Sequence, residues 1–413
     1  MRVDFNHIPK DWKKVKIAKK LFFQEGPGVR KWQFTDKGIK LLNVGNINNG
    51  KVDLSATDKH LSTEEATGKY AHFLVDEGDL LIACSGIVVD NFHNKIAFAK
   101  KEHLPLCLNT STMRFRPLED DVNLNYFKYY LQTVHFTSQL QKLITGSAQL
   151  NFGPSHIKKI DFLLPPLKTQ KQIASILDNA AALCDKTAQL LKEYDLLAQS
   201  IFLEMFGDPG INNKKHFSTN IKNICKVKGG KRIPKGESLV KNKTMHPYIK
   251  AGNIKKGKIT TTDLEYLTED LFKKISRYTV EENDVCITVV GANIGDVGIV
   301  PQELHLANLT ENANKLLIID KQKLNYMYLA YYLMSNFFQT QIDNNIRAAG
   351  VPKLAIFRIE ETRILVPPIN LQNQFAEKIA LIEKQKALAK QELQESEDLF
   401  NCLLQKAFKG ELV

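Results

Sequence analysis

A chain of 413 residues, 43% apolar and 25% charged, has the composition of a folded protein of two or three domains, which excludes an extended disordered chain. Lys and Arg number 57 against 45 Asp and Glu, a net charge of +12 that points to a polyanionic partner. No stretch approaches the ~18 consecutive apolar residues of a membrane span, the first six residues carry no apolar signal core, and six isolated cysteines form no Cys-x-x-Cys pair, so the expectation is a cytoplasmic protein without membrane, zinc or disulfide.

The sequence is written twice. Leu42–Val52 answers Ile249–Ile259, Val75–Leu80 answers Val280–Val285, and Leu124-Asn125-Tyr126 with Tyr129-Tyr130-Leu131 answers Leu324-Asn325-Tyr326 with Tyr331-Tyr332-Leu333. Leu164-Pro165-Pro166-Leu167, with Gln170 and Gln172, answers Val366-Pro367-Pro368-Ile369 with Gln372 and Gln374. Matched blocks in one order, about 200 residues apart, predict two tandem domains of one type rather than a solenoid.

In chain order, the first globular part occupies 1–164. It alternates β-rich runs such as Leu80–Ala83 and Lys95–Phe98 with Gly and Asn turns, and its helical stretch is Leu124–Leu143. A long helix follows over 165–207. Its heptads place Ile173, Ala180, Thr187, Tyr194 and Ile201 at a, and Ile176, Leu183, Leu190 and Leu197 at d, with Leu177, Leu191, Ala198 and Met205 widening the stripe. The second globular part spans 208–365. A second helix spans 366–413, with Phe375, Ile382, Ala389, Ser396 and Leu403 in the equivalent register and Ile379, Leu393 and Phe400 flanking them. Its d positions are polar (Lys378, Gln385, Glu392, Lys406), so its seam runs along a and e. Prolines precede each helix and Gly207 or Gly410 follows it. Two matched rods in one chain pack together most simply, antiparallel under a pseudo-twofold. The predicted fold class is α/β (mixed α+β).

Positive charge is concentrated. Between Lys214 and Lys258 there are fourteen Lys or Arg residues and one acid, Glu237, centred on the loop Lys226–Gly236. Lys228, Lys231, Arg232 and Lys235, on a Gly- and Pro-rich loop, suit phosphate contact. The first half has a weaker counterpart: Lys10 to Lys40 holds ten basic residues, Lys31 among them, against three acids. Asn46 and Asn253 occupy equivalent turns; Asn can pair bidentately with adenine, or simply stabilise its own turn. Lys255 and Lys256 adjoin the second of these. Ser85 and Asn293 lie in loops that differ between the halves, Cys84–Val88 against Gly291–Gly295.

Catalytic motifs fail. Gly45…Gly50-Lys51 and Gly252…Gly257-Lys258 mimic a phosphate-binding loop, but Val52 and Ile259 stand where Ser or Thr must hold Mg²⁺. Asn49-Gly50 and Lys256-Gly257 read instead as hairpin turns. Neither Pro-Pro segment carries the acidic or amide residue and aromatic with which an amino-methyltransferase grips a flipped base. His93, His103 and His305 fall in no metal-binding pattern.

The order domain, long helix, domain, long helix resembles the DNA specificity subunit of type I restriction–modification systems. The resemblance is carried by Leu-Pro-Pro-Leu-x-x-Gln-x-Gln-Ile-Ala at 164–174, Phe202-Leu203-Glu204-Met205-Phe206-Gly207-Asp208-Pro209, and Gly229–Gly236. It implies two target recognition domains that each read half of a bipartite site in double-stranded DNA. It also implies an antiparallel rod that spaces them, with Ile173, Leu177, Leu183, Leu190, Leu197, Phe375, Ile382, Leu393 and Phe400 as its pairing and partner-binding residues. No catalytic residue, metal or cofactor belongs to the chain by this resemblance. S-adenosylmethionine, ATP and Mg²⁺ belong to its partners, two modification subunits and the restriction subunits, which methylate adenine and cut. The competing readings are a single-chain DNA methyltransferase or nuclease with degenerate motifs, and an RNA-binding scaffold that uses its rod as a spacer.

Overall fold

The computed structural model describes residues 9–144, 149–344 and 352–413; the first six residues, read above for a signal core, lie outside them. The chain divides into two compact units, residues 1–188 with 391–413 and residues 189–390. Each long helix therefore contributes one part to each unit. No helix among the described residues is long and apolar enough to cross a membrane.

In the first unit an antiparallel sheet has the order Ile96–Phe98, Leu80–Ala83, Thr112–Pro117, Leu21–Glu25. Leu80–Ala83 is buried on both faces: Leu80 and Ile82 join the main core while Leu81 joins a smaller one behind the sheet. A second sheet has the order Leu106–Leu108, Ile39–Leu42, His60–Leu61, Phe34–Thr35, its first pair parallel. The predicted helix Leu124–Leu143 is two helices, Leu124–Tyr130 and Val134–Leu143. The break falls at Thr133, whose Oγ1 accepts the Phe136 N–H as an N-cap.

The second unit repeats the plan with one change. Its sheet has six strands in the order Cys225–Gly229, Ala313–Ile318, Val285–Thr288, Val297–Ile299, Gly257–Ile259, Ile254–Lys255. The hairpin that stands apart in the first unit (Ile47–Asn48 with Lys51–Val52) is here joined to the main sheet through Val297–Ile299. A three-stranded sheet, Glu265–Tyr266, Pro247–Ile249, Asn308–Leu309, lies beside it.

The atomic repeat corrects one matched block. Asn123 and Asn325 are the N-caps of equivalent helices, and their N–H groups donate to Gln170 Oε1 (2.8 Å) and Gln372 Oε1 (2.9 Å). Leu124-Asn125-Tyr126 therefore does not align with Leu324-Asn325-Tyr326. Tyr126 corresponds to Tyr328, whose hydroxyls donate to Leu163 O (3.0 Å) and Leu365 O (2.8 Å).

The same two glutamines explain the Pro-Pro/Gln motifs. Gln170 Nε2 also donates to Asp121 O and Pro165 O, and Gln372 Nε2 to Lys323 O and Pro367 O. Both side chains are fully buried, so each clamps the start of a long helix to its globular domain.

The helices run Leu167–Phe206 and Ile369–Lys409, 40 and 41 residues, roughly 60 Å of rod each at 1.5 Å per residue. Gly207 and Gly410, at φ 76° and 74°, end them in the left-handed conformation. Within the first unit Ile173, Ala174 and Leu177 share a core with Leu404, Ala407 and Phe408. Within the second, Ala198, Phe202 and Phe206 share one with Phe375, Ile379 and Ile382. Residues later in one helix meet residues earlier in the other, so the packed segments are antiparallel.

The seam runs along a and e in both helices, which corrects the first. Leu183, Leu190 and Leu197, placed at d in the pairing seam, are 41%, 36% and 46% exposed. Ala180, Thr187 and Ala198 are buried instead, with Ala389 and Ser396 on the second helix. The hydroxyls of Thr187 and Ser396 donate back to Leu183 O and Glu392 O, which lets polar residues sit in the seam. Leu393 and Phe400 are half-buried, and Phe400 packs beside Tyr129.

Candidate nucleic-acid interface

Both Asn-Gly and Lys-Gly segments are hairpin turns, as their sequences predict. Asn49 and Gly50 have φ of 50° and 69°, Lys256 and Gly257 of 47° and 81°, so each pair fills the two central positions of a tight turn that needs positive φ. Flanking residues pair across as Ile47 with Val52 and Ile254 with Ile259. Lys255 and Lys256 stand exposed at the second tip.

Asn46 and Asn253 end the single helical turns Val44–Asn46 and Ala251–Asn253 that lead into the hairpins, and both are buried. Asn46 is fully buried: its Oδ1 accepts from the Asn43 N–H (2.9 Å) and Thr57 Oγ1 (2.7 Å), and its Nδ2 donates to Asp53 O (2.8 Å). Asn253 is buried too, its Oδ1 accepting from the Lys250 N–H (2.9 Å). Asn46 Oδ1 and Nδ2 and Asn253 Oδ1 are thus engaged within the fold, which supports the turn role of these residues.

The basic run of the second unit is partly neutralised by acids distant in sequence. Lys222 pairs with Glu361, Arg232 with Glu311, Lys250 with Glu265 and Lys258 with Glu383. The Arg232 Nε–Glu311 Oε1 distance is 2.8 Å, and that bond holds the guanidinium pKa above its ordinary value. Lys228, Lys231 and Lys235 are exposed. The backbone around Lys231 is fixed from both sides: its N–H donates to Leu309 O and its carbonyl accepts from the Tyr248 hydroxyl (2.8 Å). Its ammonium lies over the Tyr278 ring, 5.6 Å from the centroid.

Beside this loop a cavity of about 260 Å³ is lined by Lys228, Gly229, Arg277, Tyr278, Thr279, Leu309 and Lys315. Lys315 is committed within it, donating to Thr279 O (2.6 Å) and lying 3.5 Å from Asp284. Lys228 and the exposed Arg277 thus face an opening where a phosphate could sit. Arg277 escaped the sequence reading because it lies beyond the basic run, and only the fold brings it to Lys228.

A second patch forms at the opposite edge of the six-stranded sheet. Exposed Asn293 lies on the loop between Val285–Thr288 and Val297–Ile299, next to the hairpin. Asp296 on that loop has its pKa raised, chiefly by burial, while Lys255 and Lys256 pull it down. Gly295, at φ 93°, lets the loop close on Gln339, whose Nε2 donates to the Gly295 carbonyl (3.0 Å).

In the first unit four of the ten basic residues are also paired: Lys14 and Lys16 with Asp161, Lys20 with Glu119 and Asp121, and Lys40 with Asp58. Lys31 is exposed on a one-turn helix, Lys31–Gln33, that also presents Trp32. Ser85 is half-buried, and its hydroxyl donates to Asn151 Oδ1 (2.8 Å), which also accepts the Gly86 N–H. Ser85 therefore holds its own loop. Among the described residues no three His, Cys, Asp or Glu side chains are grouped to hold a metal.

Comparison with known proteins agrees with this architecture. The family model described as type I restriction modification DNA specificity domain matches residues 9–193 and again 214–397. The type I restriction enzyme MjaIX specificity subunit of Methanocaldococcus jannaschii is 21% identical over 391 residues, 90% of this chain and 87% of that protein. The EcoKI specificity subunit of Escherichia coli is 22% identical over 421 residues, 91% of this chain and 83% of that one. Among solved structures, the S subunit of a type I restriction–modification system from M. genitalium superposes with a TM-score of 0.53 at 16% identity, over 98% of both chains. A chain from a structural study of complex assembly and conformational transition of the type I system gives 0.58 at 16% identity, over 98% and 99%. These last two are likenesses of fold.

Proposed function

The chain belongs to the type I restriction–modification DNA specificity family, as a non-catalytic subunit for DNA sequence recognition, and from that premise we propose how its two halves divide the work. Residues 1–164 and 208–365 act as target recognition domains, each reading one half of a bipartite duplex site. Residues 165–207 and 366–413 form the spacer rod. The bound chain directs adenine methylation and restriction by partner subunits in the cytoplasm, with S-adenosylmethionine, ATP and Mg²⁺ held by those partners.

The observation that carries this reading is the duplication itself. Two domains share one set of structural clamps, and each ends in a Gln-clamped long helix with a basic surface presented by its loops. In the second unit Lys228, Lys231, Lys235 and Arg277 supply phosphate contacts, with Arg232 released from Glu311 as DNA arrives. Lys255, Lys256 and Asn293 sit where side chains can approach a groove. The outward row Leu183, Leu190 and Leu197 is apolar surface that the rod does not use, and it suits docking of the modification subunits, two in number if each half binds one.

The test is a genome-wide map of methylated adenines in cells with and without the gene. Loss of one bipartite motif is the expected result. Methyl transfer to duplex DNA by the purified chain alone, given S-adenosylmethionine, would favour the enzyme reading instead.

A further inference from the structure

The two most exposed large apolar side chains among the described residues are Trp32, 80% exposed, and Met245, 88% exposed. Both lie in the connection between corresponding strands, Trp32 before the sheet-edge residues Phe34–Thr35 and Met245 after their counterpart Val240. Trp32 lies between strand Leu21–Glu25 and strand Ile39–Leu42, and Met245 between Cys225–Gly229 and Pro247–Ile249. Exposing a Trp or Met so fully forgoes the burial that normally stabilises such a side chain.

Neither residue is on a slack loop. Gln33, next to Trp32, is buried; its Oε1 accepts the Arg30 N–H, and its Nε2 donates to Glu65 Oε1 and the Tyr70 hydroxyl, all at 3.1 Å. Glu65 belongs to the short helix Thr63–Thr67. His246, next to Met245, docks on the corresponding helix, Glu269–Ile275: its ring stacks on Phe272 at 3.8 Å and its Nε2 lies 2.8 Å from Glu269 Oε2. Thr244, on the other side, donates to Leu267 O and accepts the His246 N–H. Different residues in the two halves thus achieve one result, an apolar side chain held outward by a neighbour anchored to the same short helix.

We propose that Trp32 and Met245 are apolar wedges, each inserting at a base step of its own half-site. The proposal rests on the DNA-recognition reading above. The immediate surroundings favour duplex DNA over a protein partner: Arg30, Lys31 and Lys37 adjoin Trp32 in sequence, and Lys241 and Lys243 adjoin Met245. Cations flanking an apolar tip suit phosphates on either side of an unstacked step, where Met and aromatic side chains insert or stack. Anchoring through Gln33 and His246 lowers the ordering cost of that insertion. It also gives each half a means of sensing how easily a step deforms, which is sequence information read without a base-edge hydrogen bond.

The chain supplies its own probe, because its other tryptophan, Trp12, is only 8% exposed. Full-length protein is titrated with fluorescein-labelled duplexes selected for binding from a randomised library. Anisotropy reports binding, and acrylamide quenching reports access to Trp32. Binding should shield Trp32 from acrylamide. Trp32→Ala should weaken the selected duplex about ten- to hundredfold, Trp32→Phe should restore most of the affinity, and Met245→Ala should have a smaller effect confined to the other half-site.

Duplex binding with Trp32 still fully quenched would overturn the wedge while leaving DNA recognition intact. Shielding by modification subunits in the absence of DNA would overturn it too, assigning Trp32 to a protein contact. No anisotropy change with any duplex would overturn the wedge and the DNA reading together.

Discussion

The hairpins Ile47–Val52 and Ile254–Ile259 share one turn and one preceding buried asparagine, and differ in the charged groups that hold them. The first is anchored inside its own domain: Lys95 Nζ donates to Ile47 O (2.9 Å) and to Asn48 Oδ1. The second is tied to the rod, where Lys258 pairs with Glu383, Glu383 with Lys386, and Lys386 with Asp195 of the first long helix. Elsewhere the halves agree closely. Gln170 and Gln372 make matching sets of bonds, as do Gln139 and Gln341, which accept and donate at Asp161 and Arg363. Side chains that hold domain to helix are repeated, while those on the outward loops diverge. That division suits a protein whose frame is fixed and whose two readings must differ.

The largest test of the comparison lies in two corresponding aspartates, one buried and one half-buried. Asp79, 2% exposed, faces both Arg114 (3.6 Å) and Arg116 (2.7 Å), whereas Asp284 faces Lys315 alone at 3.5 Å. Asp79→Asn should destabilise the first unit by about 2–4 kcal/mol, because the buried Arg114 loses its carboxylate while Arg116 keeps only Asp76. Asp284→Asn should cost the second unit only about 1–2 kcal/mol. Burial raises the Asp284 pKa above its ordinary 3.8, so protonation favours the fold. That contribution is complete below the unfolded pKa and is lost as pH rises through the folded one, which makes the substitution mildest at neutral pH. Denaturant melts followed by a probe in each unit decide this; equal losses would contradict it.

The glutamine clamps come next. Gln170→Ala and Gln372→Ala should each cost about 2–3 kcal/mol, for the buried groups they leave unpaired. The two costs should agree, since the bonding is the same. A large difference in thermal melts would show that the repeat is one of geometry and not of energetics.

Charge gives a smaller effect. Replacing Lys231 and Lys235 with Ala should lower the salt dependence of DNA binding by roughly one unit of log–log slope per lost contact, on cognate and non-cognate duplexes alike. Arg232→Ala should lower the slope in the same way but weaken binding less, because that guanidinium must first leave Glu311 to reach a phosphate. The smallest effect concerns the hairpins: Lys258→Ala should cost less than about 1 kcal/mol, as exposed pairs do. Lys51→Ala should cost nothing measurable. Hydrogen exchange at the two hairpins would reveal a change at the second only.

These contrasts mark what the sequence could and could not reveal. The duplication, both hairpin turns and both long helices were legible, because each rests on a pattern within a few residues or on a simple period. The rod seam was misread in the first helix, where leucines at 183, 190 and 197 outweighed the small residues at 180, 187 and 198 that pack. The Gln170 clamp was visible as a motif, but its meaning was hidden: its partners at 121 and 123 are brought to it by folding. Counting charge overstated the basic surface, since Glu311, Glu361 and Glu383 neutralise part of it from far along the chain. Trp32 left a signal, a tryptophan beside Arg30 and Lys31, that needs its exposure to acquire significance.

The central claim, that each half reads its own half-site, is tested most directly by mapping methylated adenines in cells carrying the intact chain and in cells carrying Lys255→Ala, Lys256→Ala and Asn293→Ala together. The account predicts a bipartite motif for the intact chain, and for the variant relaxation of one half with the other half and the gap unchanged. A continuous motif, or loss of sequence preference in both halves at once, would contradict it.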